Sequence, residues 1–149
     1  MAEILKGAAV AAALSEALTG RVEQLRSAGI IPTLAIVRVG ENESDLSYER
    51  GAEKRCAKVG VEVRNFTLPP DCTQSELLEV IRQINGDRSI HGCLLFRPLP
   101  KQLDERAVCE ALSPEKDVDC ITGGSLCSVF TGEKRGYPPC TAQACLEIL

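Results

Sequence analysis

Three short apolar runs, "PTLAIVRVG" (32–40), "VEVRNFTL" (61–68) and "IHGCLLF" (90–96), recur along this 149-residue chain, and each is followed by a stretch with helical spacing. Runs of four to eight apolar, β-branched residues bounded by proline or glycine read as strands. The segments joining them are too long for hairpin turns and long enough for crossover helices. Strands joined in that way lie parallel, so the chain is expected to form an α/β fold, a mostly parallel sheet with helices on both faces. With three Phe, two Tyr and no Trp, the core must be built from Ala, Leu, Ile and Val, which suits helices packed on such a sheet.

The crossovers carry their own signals. "SDLSYERGAEKRCAKVGV" (44–61) reads as a helix from Ser44 to Lys58 closed by Gly60. "TQSELLEVIRQINGD" (73–87) opens with Thr73 and has Glu76 three residues later, a capping box, with apolar residues at 77, 78, 81 and 84 on one face. "LDERAVCEAL" reads as a short helix from near Asp104, and "SPEKDVDCITGGSL" (113–126) as a loop whose "TGGS" is a tight turn. The N-terminal "MAEILKGAAVAAALSEALTGRVEQLRSAG" reads as one amphipathic helix ending at Gly29; Glu3 ahead of the apolar stretch argues against a secretory leader. No run approaches the length needed to span a membrane. The last residues, "GYPPCTAQACLEIL", place Thr141 as the cap of a further helix, which either docks back on the domain or leads toward another.

Charge and cysteine usage exclude some functions. A net charge of −4 and few aromatics argue against nucleic-acid binding, which needs clustered cations or stacking platforms. Eight cysteines without a Cys-x-x-Cys pair, and one histidine, are expected to be reduced and mostly buried in a cytoplasmic protein; a cysteine-based redox or metal function is the weaker reading. No Gly-x-Gly-x-x-Gly or Gly-Lys-Ser phosphate motif is present. His91 opens a strand and is read as structural.

In open α/β sheets ligands bind at the carboxyl ends of strands, which directs attention to the loops after Val39, after Leu95 and around Asp119. On a helix, Gly51 and Ala52 lie within about 60° of Tyr48, whereas Lys54 points about 120° away. Tyr48 is therefore either packed half-buried on the sheet or free to hold a ligand. Arg50, Lys54 and Lys58, interleaved with Glu49 and Glu53, read as a solvated face. Asp117 and Asp119 fall on one side of an extended segment, suited either to a cation or positively charged heterocycle or to capping the chain.

Taken together, "PTLAIVRVG", "SDLSYERGAEKRCAKVGV", "IHGCLLFRPLPKQLDERAVCEALSPEKDVD" and "PPCTAQACLEIL" resemble the bifunctional methylenetetrahydrofolate dehydrogenase/methenyltetrahydrofolate cyclohydrolase family of one-carbon metabolism. The resemblance implies a folate-binding catalytic domain over residues 1–138 and, over 139–149, the start of a helix linking it to a Rossmann-type domain that this chain does not contain. It further implies a tetrahydrofolate substrate, NADP or NAD bound by that other domain, and usually a homodimer.

The resemblance also assigns residues. Tyr48 would stack on the folate, Asp119 would hold the pterin, and Leu95, Phe96, Arg97 and Pro98 would form the pocket wall. It places Ala52 where the family has a lysine and Phe96 where it has a glutamine. These departures put the hydrolytic step, the one most dependent on a proton-handling lysine, in question, while oxidation of the methylene carbon depends more on holding two rings together. The alternative is a folate-binding or interaction module without the chemistry. Phe96 is expected to fill space beside Tyr48 and Ala52, and Arg97 is a second candidate for the missing charge.

Overall fold

The computed structural model describes residues 4–149; Glu3, on which the argument against a leader rests, lies outside them. The elements are α1 (Gly7–Ser27), β1 (Thr33–Val39), α2 (Glu43–Val59), β2 (Glu62–Leu68), α3 (Gln74–Gly86), β3 (Gly92–Leu95), α4 (Glu105–Ala111), a 3-10 turn (Pro114–Lys116), α5 (Gly123–Thr131) and α6 (Cys140–Ile148). The strands form one parallel sheet, as the alternating pattern predicts, in the order β2-β1-β3. Being central, β1 is buried on both faces, which is why "TLAIVRV" reads as an unbroken apolar run while the edge strand β2 alternates.

Side chains of a strand point to opposite faces in turn. Ala35, Val37, Val39, Cys93 and Leu95 point to the face covered by α3 and α4, where Leu77, Ile81, Ile84, Val108 and Leu112 complete the core. Ile36, Arg38, Leu94 and Phe96 therefore face the other way, toward α2. The Phe96 amide donates to the Val37 carbonyl at 2.9 Å, so the ladder runs one residue past β3 and fixes that parity. Beside α2 lies α1, joined to it by the Arg55 guanidinium on Ser15 (3.0 Å) and to its C-terminal cap by Arg26 on the Gly60 carbonyl (2.9 Å).

Helix ends follow local chemistry. The Asn42 side chain accepts from the Ser44 amide, and Gly60, at φ 83°, closes α2 in the left-handed conformation that glycine tolerates without strain. Thr73 and Glu76 form the predicted capping box, and Asp104 caps α4. Two boundaries differ from the sequence reading by a residue or two: α1 ends at Ser27, before Gly29, and α6 is capped at Pro139 with Cys140 as its first residue.

Larger corrections concern three features. The "TGGS" segment is a helix start, because the Thr122 hydroxyl accepts from the Ser125 amide and α5 follows. Of the cysteines, Cys72, Cys93 and Cys109 are buried, but Cys56 and Cys120 are half-buried, and Cys127, Cys140 and Cys145 are exposed. Burial, with the nearby Asp117 charge, pushes the Cys93 thiol up to about 12, leaving it inert as a small apolar group.

The third correction is Glu49, which does not belong to a solvated face. Arg38 is buried on β1, and its guanidinium donates to Glu49 at 2.6 Å, to the Gly40 carbonyl, and more weakly to Thr67. Asn65 donates to Glu49 (3.3 Å) and Glu53 (2.6 Å). Both side chains of the ion pair are nearly excluded from water, 7% and 12% exposed, so neither charge is compensated by solvent if its partner is lost. Glu49→Ala is expected to lower unfolding free energy by about 3 kcal/mol, measured by denaturant titration. The paired change Arg38→Met with Glu49→Leu is expected to restore most of that loss.

Candidate functional site

At the carboxyl ends of β1 and β3, an open cleft of about 390 Å³ is lined by Ser44, Asp45, Tyr48, Leu94, Leu95, Phe96, Arg97 and Asp119. Three segments distant in sequence converge there: the first turns of α2, the end of β3, and the segment after the 3-10 turn. Leu95, Phe96, Arg97 and Asp119, singled out in the sequence, meet Tyr48 in one place. Ser44 and Asp45 had not been singled out. They lie four and three residues before Tyr48 on α2, the spacing at which helix residues share a face, and that signal could have found them.

Tyr48 is 63% exposed, while Phe96 is 7% exposed. Their ring centroids are 5.4 Å apart with planes at 64°, an edge-to-face pair. Phe96 thus braces Tyr48 from the sheet side and leaves most of the tyrosine open. Ala52 lies in a neighbouring hollow of about 740 Å³, with Ser44, Ser47, Tyr48, Gly51, Arg55 and Cys56; Phe96 is not among the residues lining it. Lys54 is exposed and lines neither space. Pro98, joined to Arg97 by a cis peptide bond, follows the cleft wall but does not line it.

The two aspartates have separate roles. Asp117 is fully buried. It accepts from the amides of Asp119 (3.3 Å), Ile121 (2.9 Å) and Thr122 (2.8 Å), so it folds the loop around itself. Burial opposes its ionisation, but the Ile121 and Thr122 amides, with the Ser125 and Thr122 hydroxyls, outweigh that and hold its carboxyl below the ordinary value. Asp119, half-buried, is presented to the cleft. Immediately after it the backbone turns at Cys120, φ 58°, a conformation that costs a non-glycine residue about 1 kcal/mol. The loop can lie against β3 because residue 92 is glycine: a Cβ there would meet Val118 at 2.6 Å.

The cleft's electrostatics are mixed: carboxylates at Asp45 and Asp119, and one cationic side chain among the described lining residues, Arg97. Glu105, in the first turn of α4, lies 3.5 Å from the Arg97 guanidinium and accepts from the Leu99 amide at 2.8 Å. Outside the cleft, Cys140 donates to the Val118 carbonyl at 3.1 Å, which ties the start of α6 to the Asp119 loop. His91 sits at the opposite, amino end of the sheet, where its Nδ1 accepts from the Thr33 amide at 3.2 Å, a structural role. Among the described residues no group of three or more metal-ligating side chains occurs, and no helix is long and apolar enough to cross a membrane.

The starts of α2, α3 and α5 do not suit a dinucleotide. Its pyrophosphate needs a helix N-terminus open to an anion, but α2 carries Glu43 and Asp45 in its first turn, and the Glu76 carboxylate closes that of α3. At the start of α5 the Gly123 amide is already taken by Glu110 at 3.0 Å.

Comparisons with known proteins place the chain in a family and match its fold to solved structures. A family model described as "Tetrahydrofolate dehydrogenase/cyclohydrolase, catalytic domain" matches residues 5–119. The chain is 47% identical over all 149 residues to the Bifunctional protein FolD of Alkaliphilus oremlandii, covering 52% of that protein. It is 46% identical over 147 residues to that of Clostridioides difficile, covering 51%. Among solved structures, the FolD methylenetetrahydrofolate dehydrogenase/cyclohydrolase of Campylobacter jejuni superposes with a TM-score of 0.95 at 31% identity, over 99% of this chain and 52% of that one. The corresponding enzyme of Trypanosoma brucei, solved with NADP cofactor and an inhibitor, superposes with a TM-score of 0.90 at 30% identity, over 99% and 51%. The chain thus spans about half the length of the relatives it matches.

The depressed Asp117 carboxyl sets an acid limit on the loop that carries Asp119. Because its folded value lies below the ordinary 3.8, the unfolded chain binds the proton more readily, and the stability contributed is present above that value. It is lost as pH falls through the lower, folded value. Asp117→Asn is expected to be less stable than the parent at pH 7 and to lose less further stability on acidification below pH ~4, as read by unfolding free energy against pH.

Proposed function

The chain belongs to the tetrahydrofolate dehydrogenase/cyclohydrolase family, and on that premise we propose that it is the folate-binding catalytic domain of a cytoplasmic enzyme of one-carbon metabolism. The activity proposed is NAD(P)-dependent oxidation of methylenetetrahydrofolate to methenyltetrahydrofolate. The observation carrying this reading is the cleft at the strand ends, where an exposed tyrosine ring and a presented carboxylate, Tyr48 and Asp119, lie together. A flat heterocycle can lie against Tyr48, buttressed by Phe96, while its N–H edge donates to Asp119. Residues 1–138 would form this domain, and 139–149 would begin the helix toward a Rossmann-type domain outside these residues. That domain would hold the nucleotide, in keeping with the acidic helix starts found here.

A second reading, a folate-binding module without turnover, is favoured by one observation. Ala52 brings no proton-transferring group, and the described cleft residues include neither lysine nor histidine. For the same reason, hydrolysis of the methenyl product is proposed to be weak or absent.

Binding of tetrahydrofolate to the 149-residue chain, measured by calorimetry, tests the shared core of both readings. Tyr48→Ala is expected to weaken binding by about 10-fold and Tyr48→Phe by less than about 3-fold, since the ring rather than the hydroxyl makes the contact. Asp119→Asn is expected to cost about 10-fold or more. The chain alone is expected not to reduce NADP or NAD with methylenetetrahydrofolate; robust turnover would contradict the division of labour proposed.

A further inference from the structure

Among the described residues, Arg97 is the one charged donor lining a cleft whose other charged lining residues, Asp45 and Asp119, are acids. Its placement is built. The preceding residue, Phe96, is locked to β1 by the 2.9 Å bond to the Val37 carbonyl, and its ring is packed on Tyr48. On the other side, Glu105 holds the Leu99 amide with one carboxylate oxygen and approaches the Arg97 guanidinium with the other. The capping residue Asp104 fixes the helix start from which Glu105 projects, accepting from the Ala107 amide at 3.0 Å. The segment from Phe96 to Leu99 is therefore pinned at both ends, and the guanidinium, still partly in solvent, has the Glu105 carboxylate on one side. Glu105 approaches one side of a five-donor group, and among the described residues no hydrogen bond occupies the Arg97 side chain.

We propose that Arg97 is a specificity-determining residue that recognises the oxygen of the ligand's one-carbon group, so that this cleft prefers the formyl form of tetrahydrofolate to forms lacking that oxygen. The inference rests on the folate reading above. A guanidinium suits the task because it donates several hydrogen bonds in a fixed plane and stays charged at every physiological pH. The methylene group carries no oxygen for it to meet, and the methenyl group is cationic and also lacks one; only the formyl group offers an acceptor.

The same property bounds the chemistry. When water adds to the methenyl carbon, a C–O bond forms and the C=N electron pair moves to nitrogen; one of the water's two protons is released, and the other passes from the carbinol oxygen to the departing nitrogen as its C–N bond breaks to give the formyl product. A guanidinium cannot accept the released proton. Arg97 can hold the oxygen as it develops, but the released proton passes to bulk water. Glu105 is the positioning residue, acting through Arg97 and through the Leu99 amide that fixes the turn.

The experiment measures binding of two stable probes, 5-formyltetrahydrofolate and tetrahydrofolate, to the 149-residue chain and to Arg97→Leu, Arg97→Gln and Glu105→Gln, with folding of each variant checked by circular dichroism. The parent is expected to bind the formyl probe about 10-fold or more tightly than tetrahydrofolate. Arg97→Leu and Arg97→Gln should lose that preference by weakening the formyl probe by about 10-fold more than tetrahydrofolate, and Glu105→Gln should lose part of it. A parent with no preference, or Arg97 variants that retain it, would overturn the inference while leaving the folate reading standing. A parent that binds neither probe would overturn both.

Discussion

A charge buried between a strand and a helix holds the site together. Arg38 projects from the central strand into the layer beneath α2, where the Glu49 carboxylate meets it almost out of contact with water. An unpaired guanidinium there is too costly to tolerate, so α2 must sit with Glu49 above Arg38. Tyr48 is the residue before Glu49, and Phe96 extends β3 on the same face as Arg38. Fixing the ion pair therefore fixes the edge-to-face meeting of the two rings, and with it the wall of the cleft.

A second buried carboxylate organises the opposite wall. Asp117 gathers the amides of three following residues, which curls the chain so that Asp119 is turned outward and α5 starts immediately afterwards. Neither charge belongs to the reactive surface, yet each sets where a cleft residue stands. Between them lies the short turn from Phe96 to Leu99, braced by Glu105. The proposed folate site is thus an edge where three independently stabilised segments come together, rather than a preformed enclosed cavity.

Much of this was legible in the sequence because it is written in periodicity. The three strands, their parallel order and the helices between them follow from apolar runs separated by capped helical segments, and the capping box at Thr73 was readable residue by residue. Tyr48 stood out by its contrast with a charged helix, with plain packing an equal alternative, whereas Asp119 was singled out by the family resemblance. Arg38 did not, because within "TLAIVRV" it reads as one polar interruption of a strand, and its partner Glu49 reads as one more surface charge on a charged helix. Their pairing is a tertiary fact with no local signature. The start of α5 was hidden for a related reason: "TGGS" has turn composition, and only the hydroxyl of Thr122 and the buried Asp117 behind it make a helix there. The division of the two aspartates into one structural and one presented was equally unreadable from alternation alone, since it depends on the Ile121 and Thr122 amides reaching back to Asp117.

The central claim is that the Tyr48, Phe96 and Asp119 edge is where a reduced pterin lies. A crystal structure of the chain with bound tetrahydrofolate tests it most directly. The account predicts the pterin ring against the exposed side of Tyr48, with its N–H edge on the Asp119 carboxylate and the one-carbon end toward Arg97. A pterin seated in the Ala52 hollow, or at the His91 end of the sheet, would contradict it.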